Sequence, residues 1–350
     1  MLDRAAVTRR RITFVDLLRL VASFQMVVGH TIDGLLSEEL RHGPAFDAWT
    51  SVRGLTSVAF LTAAGLSFHL STLARFETHR GDPAAVRRRL RRGASLVAIG
   101  YALHFPLATF WGEGDAALRE FAIADVLQCI GLSILALEGL TLVARRPAHV
   151  VWACLAIGLL CFALGPLGDT VQPEGPARFA LNYLSHRGGS LFPLVPWAGF
   201  VFSGVAVGAF ALPDGTGTDP AVPGRRILWC ALAVLAVGLV AGSIDLDEVS
   251  RNARPGFNLV KLGAVLGVVS ALAWIGSGLR RLPPRASILA GETLALYVSH
   301  LMVLYAGGVG LTYLIGHALW WPEAILAALG MVAATAAFGL VWHRAKAAIA

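Results

Sequence analysis

Ten apolar blocks of about 20 residues, joined by short polar connections, constrain this chain more than any other feature. They cover roughly residues 12–34, 55–75, 90–111, 120–144, 148–168, 189–212, 226–244, 256–279, 286–308 and 321–343. At 1.5 Å per helical residue, each is long enough to cross a hydrocarbon core of ~30 Å. Charged residues are only 15% of the chain, where a water-soluble domain would be near about a quarter. Ala, Gly, Leu and Val fill the blocks without the alternation of a membrane barrel. The expected fold class is therefore all-α: a polytopic membrane protein of about ten spans, residues 1–350 forming one integral membrane domain.

The 29 Lys and Arg support that topology. With the N-terminus inside, most of them fall in the cytoplasmic connections, beginning with Arg4, Arg9, Arg10 and Arg11 and continuing through the Arg-rich stretch 75–92. That is the asymmetry of the positive-inside rule. The net charge of +7 thus reports membrane orientation, and no nucleic-acid partner is expected. The N-terminus has the basic-then-apolar order of a signal peptide but no small-residue cleavage site, so it reads as a retained anchor. All four cysteines lie inside expected spans, as buried thiols without metal spacing, and no metal is expected.

The first span is the unusual one. In ITFVDLLRLVASFQMVVGHTIDGLL, residues 12 to 36, the positions 16, 19, 23, 26, 30 and 33 advance by alternating threes and fours. Asp16, Arg19, Ser23, Met26, His30 and Asp33 therefore share one stripe of a helix. Each charged group at mid-membrane costs roughly 2.5–3.5 kcal/mol on insertion scales. Such residues persist where they face a bundle interior and find partners. The stripe reads as the wall of a site, with His30 the side chain best suited to general-base work.

Other candidates lie farther along. Asp16 and Arg19, one turn apart, suit an ion pair that offsets its own burial, or a clamp to a second helix such as the one bearing Glu292. Lys261, in the eighth block, either snorkels to the interface or points inward as a countercharge. His300 sits at a depth near that of His30, with Tyr297 and Tyr305 suggesting a lined cavity. Arg53, Trp197 and Gln128 are further candidates for the substrate side. Arg88 and Arg91, in the run 87–92, suit the phosphates of a cytoplasmic anion such as coenzyme A, although anionic lipid and topology also explain the run.

Five stretches occur in an order that resembles a known family: RRRITFVDLLRLVASFQMVVGH, RGLTSVAFLTAAGLSF, VLQCIGLSIL, FPLVPWAGFVFSGVAVG and GETLALYVSHLMVLY. They are similar to bacterial relatives of the heparan-alpha-glucosaminide N-acetyltransferase catalytic domain, within the integral membrane acyltransferases that include acyltransferase family 3. The resemblance implies transfer of an acyl group from acetyl-CoA or another acyl-CoA to a sugar or glycan amine or hydroxyl across the membrane, with the bacterial inner membrane as the implied location. Asp16 and Arg19 match the family's D-x-x-R segment. His30 matches the histidine closing the first helix in many acyltransferase family 3 members. In the heparan branch the important histidine comes later, where this chain has His42, and both remain candidates. Leu20 replaces the usual Gly after the Arg, and the large luminal extension of the eukaryotic enzyme is missing. A transporter or flippase is the competing class, because intramembrane charges and Pro/Gly-broken helices also suit a substrate pathway.

Overall fold

The computed structural model describes residues 12–105, 114–213, 221–244, 249–279, 281–306 and 309–349. The basic residues Arg4, Arg9, Arg10 and Arg11, the far end of the third expected block and most of the 213–224 connector lie outside the described residues. Among the described residues, eleven helices carry the architecture. They are α1 (Thr13–Leu35), α2 (Pro44–Ser71), α3 (Pro83–Leu103), α4 (Val126–Val143), α5 (Pro147–Ala163) and α6 (Leu194–Ala211). Then follow α7 (Ala221–Gly242), α8 (Pro255–Gly278), α9 (Pro284–Gly291), α10 (Thr293–Tyr305) and α11 (Trp321–Ile349). Among the described residues, the β-structure is a single isolated bridge, Leu36 with Leu319.

The chain is an all-α polytopic membrane protein. Among the described residues, seven helices are long and apolar enough to cross a bilayer, and an eighth crossing arises if α9 and α10, bent by 73° across their break, form one span. The other two expected blocks are also helical. α5 has 17 residues, and α3 carries Arg87, Arg88, Arg89, Arg91 and Arg92 in its first half. α2 begins at Pro44, about ten residues before the expected second span, because the polar stretch PAFDAWTSVR continues the helix instead of forming a loop.

α1 packs against α2, α8, α9, α10 and α11, so its polar stripe looks into the assembly from the centre. Close helix approach depends on small residues. Gly65 of α2 meets α6 so tightly that a Cβ there would overlap the Val201 carbonyl, while a Cβ on Gly204 would stand 3.2 Å from Gly65 Cα. α4 opens with a capping box: Asp125 accepts from the Val126 amide at 2.6 Å, and Gln128 Oε1 accepts from the Asp125 amide at 3.2 Å. The bundle has two faces. The first holds the start of α1 together with the end of α2 and the start of α3. The second holds the end of α1, where Ser37 donates to the Leu319 carbonyl and Leu319 to that of Leu35, both at 2.9 Å.

Candidate active site

A cavity of about 2600 Å³ runs beside α1 from one face toward the other. It is far larger than the roughly 300–1,000 Å³ of a single drug-sized ligand site. Its walls include Asp16, Arg19, Met26 and His30 of α1. Asp16 and His30 are 14 residues apart, so the cavity follows the helix axis for about 21 Å at 1.5 Å per residue.

At the first face the lining is basic. Arg75, Arg89, Arg92 and Lys346 border the space with Arg19. Arg19 lies 3.7 Å from the Asp16 carboxylate, the expected pair one turn apart, and donates to Ser67 Oγ at 2.6 Å. Arg89 donates to Ser71 Oγ at 2.7 Å and Thr72 Oγ1 at 2.9 Å, with its guanidinium 5.4 Å above the Phe68 ring. Glu292, considered as a clamp for Asp16 and Arg19, is instead held by Lys346 at 2.6 Å and His343 at 2.9 Å, tying the α9–α10 break to α11.

Toward the second face, His30 meets His300. Nδ1 of His30 lies 2.8 Å from Nε2 of His300, and the rings meet edge to edge, nearly coplanar at 17°, with centroids 5.1 Å apart. The hydrogen-bond chain settles the tautomers of the neutral pair. Nδ1 of His300 is 2.7 Å from the Leu296 carbonyl, which only accepts, so that nitrogen carries the proton and Nε2 is the acceptor. His30 must then donate from Nδ1. Its own Nε2 is left as an unprotonated lone pair, and His30 lines the cavity whereas His300 is fully buried behind it. Tyr305 donates to the His30 backbone carbonyl at 3.2 Å, fixing the helix end. Arg53 completes this wall: its stem lies over Gly29, and its guanidinium pairs with the Asp33 carboxylate, which also accepts from Trp49 at 3.3 Å.

A second polar group lines the same space. Asp125 Oδ2 accepts from the Tyr297 hydroxyl at 3.1 Å and lies 3.8 Å from His104 Nε2. His104 and Tyr297 were not legible as partners of Asp125 in the sequence; the capping-box spacing from Asp125 to Gln128 was the available signal.

Lys261 turns inward. It is 6% exposed, with its ammonium 4.6 Å from the Trp197 ring centroid, 4.7 Å from Phe257 and 5.7 Å from Phe200. It donates to Asn252 Oδ1 at 3.3 Å. Burying an ammonium costs several kcal/mol even after relaxation, and an aromatic face returns about 0.5–2 kcal/mol. Trp197 is held in turn, its indole N–H donating to His186 Nε2 at 3.3 Å while His186 Nδ1 donates to the Ser190 carbonyl at 3.0 Å. Burial pushes the His186 imidazole below its ordinary value, outweighing the opposite pull of the Ser190 carbonyl and Asp169.

The remaining candidates sit elsewhere. Gln128 is fully buried and occupied by the α4 cap, donating also to the Ile123 carbonyl at 3.3 Å. His42 is exposed in the connection before α2, off the cavity wall. Arg88 is exposed and lies 3.5 Å from Asp82, and Arg91 is exposed off the cavity wall; Arg89 and Arg92 are the members of the run that reach the cavity. Positions 89 and 92 are one turn apart (i, i+3), as are 88 and 91, and the rotation of α3 turns the first pair toward the cavity. Among the described residues, no group of three or more His, Cys, Asp or Glu is placed to hold a metal ion.

The fold is that of a multi-pass helical membrane protein with a long cavity beside its first helix, bordered by His30. Residues 11–238 match the family model described as heparan-alpha-glucosaminide N-acetyltransferase, catalytic, and the chain belongs to that family, a family of acetyltransferases. The match includes His30, Arg53 and Arg89 and ends within α7, before Lys261 and His300. No curated protein matches the sequence.

Proposed function

We propose that the protein moves an acyl group, in the simplest case acetyl, from an acyl-CoA on the cytoplasmic side to an amine or hydroxyl of a sugar or glycan on the outer side of a bacterial inner membrane. The first face is then cytoplasmic, in keeping with the basic residues it carries. One observation carries the reading: His30 and the arginines of the first face border the same cavity. Arg75, Arg89 and Arg92 receive the phosphates of the nucleotide end, while the pantetheine arm extends along α1 toward His30.

The chemistry follows from the tautomer chain. Nε2 of His30 removes the proton from the acceptor N–H or O–H as the acceptor attacks the thioester carbonyl. The tetrahedral intermediate collapses with cleavage of the C–S bond, and the proton on Nε2 passes to the departing sulfur to give free CoA. Throughout, Nδ1–H of His30 stays bonded to His300, which acts as a positioning residue. The Arg53 side chain, whose stem lies over Gly29, is the group assigned to the developing oxyanion. The same lone pair is the nucleophile in the stepwise variant through an acyl-imidazole; rapid quenching of labelled enzyme separates the two.

The test is CoA release by purified protein in nanodiscs given acetyl-CoA and glucosamine. His30→Ala abolishes release and His42→Ala retains it. Release that survives His30→Ala and vanishes in His42→Ala transfers the role to His42. The broken α9–α10 span is the feature a transporter would share; uptake of a sugar into liposomes without any CoA turnover would replace the enzyme reading.

A further inference from the structure

The cavity contains a cation whose countercharge is missing among the described residues. Lys261 is enclosed by Trp197, Phe257 and Phe200, and its one hydrogen-bond acceptor is the neutral Asn252 side chain. A second cation stands on the same aromatic: the Arg251 guanidinium carbon is 4.4 Å from the Phe257 ring centroid. Asp169 accepts from the Ser250 amide at 2.9 Å and its hydroxyl at 3.0 Å, and among the described residues it makes no ion pair with Lys261. Lys261, Arg251, Asn252, Phe257 and Trp197 all line the cavity that also holds His30. Two cations, an amide and flat aromatic faces thus border one space.

We propose that Lys261, Arg251 and Asn252 form an anion subsite for the acceptor, which is accordingly a saccharide bearing a carboxylate or a phosphate. This rests on the acyltransferase reading for the identity of the ligand as acceptor, but the subsite itself does not. The ammonium of Lys261 and the guanidinium of Arg251 take the anionic oxygens, Asn252 holds the ammonium in position, and Trp197 and Phe257 pack against the apolar face of the sugar ring. A buried ammonium gains most from an anion because both are withdrawn from water. An ordinary neutral hexose leaves that charge uncompensated.

Two measurements on the full-length protein in nanodiscs test this. The first is binding by intrinsic tryptophan fluorescence with glucosamine, glucosamine 6-phosphate and glucuronate, which separates phosphate from carboxylate recognition. At least one anionic sugar is expected to bind tenfold or more tighter than glucosamine, with that preference lost in Lys261→Met, weakened in Asn252→Ala and restored in Lys261→Arg. The Arg variant retains the charge, so a folding defect in the Met variant is distinguishable from loss of recognition. The second is CoA release with the same sugars, including 2-amino-2-deoxyglucuronic acid, where the anionic-to-neutral ratio of kcat/KM is expected to fall tenfold in Lys261→Met. Equal affinity for charged and neutral sugars, or a preference unchanged in every variant, overturns the subsite. Anion binding that depends on Lys261 without CoA release from any acceptor keeps the subsite and overturns the acyltransferase reading.

Discussion

Removing His300 is the sharpest test of the tautomer chain, because His300 itself lines no part of the cavity. In His300→Ala the buried Nδ1–H of His30, now donating across 2.8 Å to Nε2, loses its acceptor. Leaving a buried donor unsatisfied costs about 1–3 kcal/mol, and His30 recovers part of that by moving its proton to Nε2 or rotating away. Either response removes the lone pair from the reacting position. At about 1.36 kcal/mol per tenfold, kcat should fall by roughly 5- to 150-fold, with KM for acetyl-CoA little changed because the phosphates bind at the other face. His300→Gln retains an acceptor oxygen and should recover part of the loss. The two histidines act as a unit, so His300→Ala should cost almost nothing further in a His30→Ala background. The assay is steady-state CoA release over a pH series for the four-member cycle. Full additivity of the two substitutions, or an unchanged kcat in His300→Ala, would refute the reasoning.

The other expectations concern the two ends of the bundle. Arg89→Ala should raise KM for acetyl-CoA roughly 10- to 150-fold in a salt-sensitive way, one lost charge-assisted contact being worth roughly 1.5–3 kcal/mol, while Arg88→Ala, at the exposed position, should stay within about twofold in the same assay. The buried pair of His79 Nε2 and Glu138 Oε1, 2.7 Å apart, fixes the short helix Phe76–Arg80 to α4. His79→Ala should cost about 3–5 kcal/mol by stranding a buried carboxyl group, whereas His79→Phe with Glu138→Leu should be close to neutral, both read from thermal unfolding in detergent. His186 has a folded-state value held below its ordinary 6.5 by burial, so the unfolded chain binds its proton first as pH falls. Its contribution to stability is therefore complete above about pH 6.5 and lost as pH drops through the folded value; the fall in midpoint temperature between pH 7.5 and 5 should be smaller in His186→Gln. An equal fall in both proteins would remove His186 from the pH response.

Much was legible in the sequence because lipid is a demanding solvent. Apolar runs of bilayer length had to be helices, since a backbone in hydrocarbon must satisfy its own hydrogen bonds. The polar stripe of α1 had to find a cavity or partners, and the spacing of Asp16 and Arg19 placed them within reach of each other whatever surrounded them. Local rules of this kind are written in the order of residues. What only the tertiary structure decided is which distant groups share a space. His30 and His300 are 270 positions apart, and the proton arrangement that leaves Nε2 free depends on the Leu296 carbonyl behind them. The inward turn of Lys261 depends on aromatic rings from α6 and α8, and the choice of Arg89 over Arg88 depends on how α3 is rotated against its neighbours. Gln128, a plausible ligand by composition, was spent on a helix cap. Helical period selects a face, but only packing between helices determines what that face looks at.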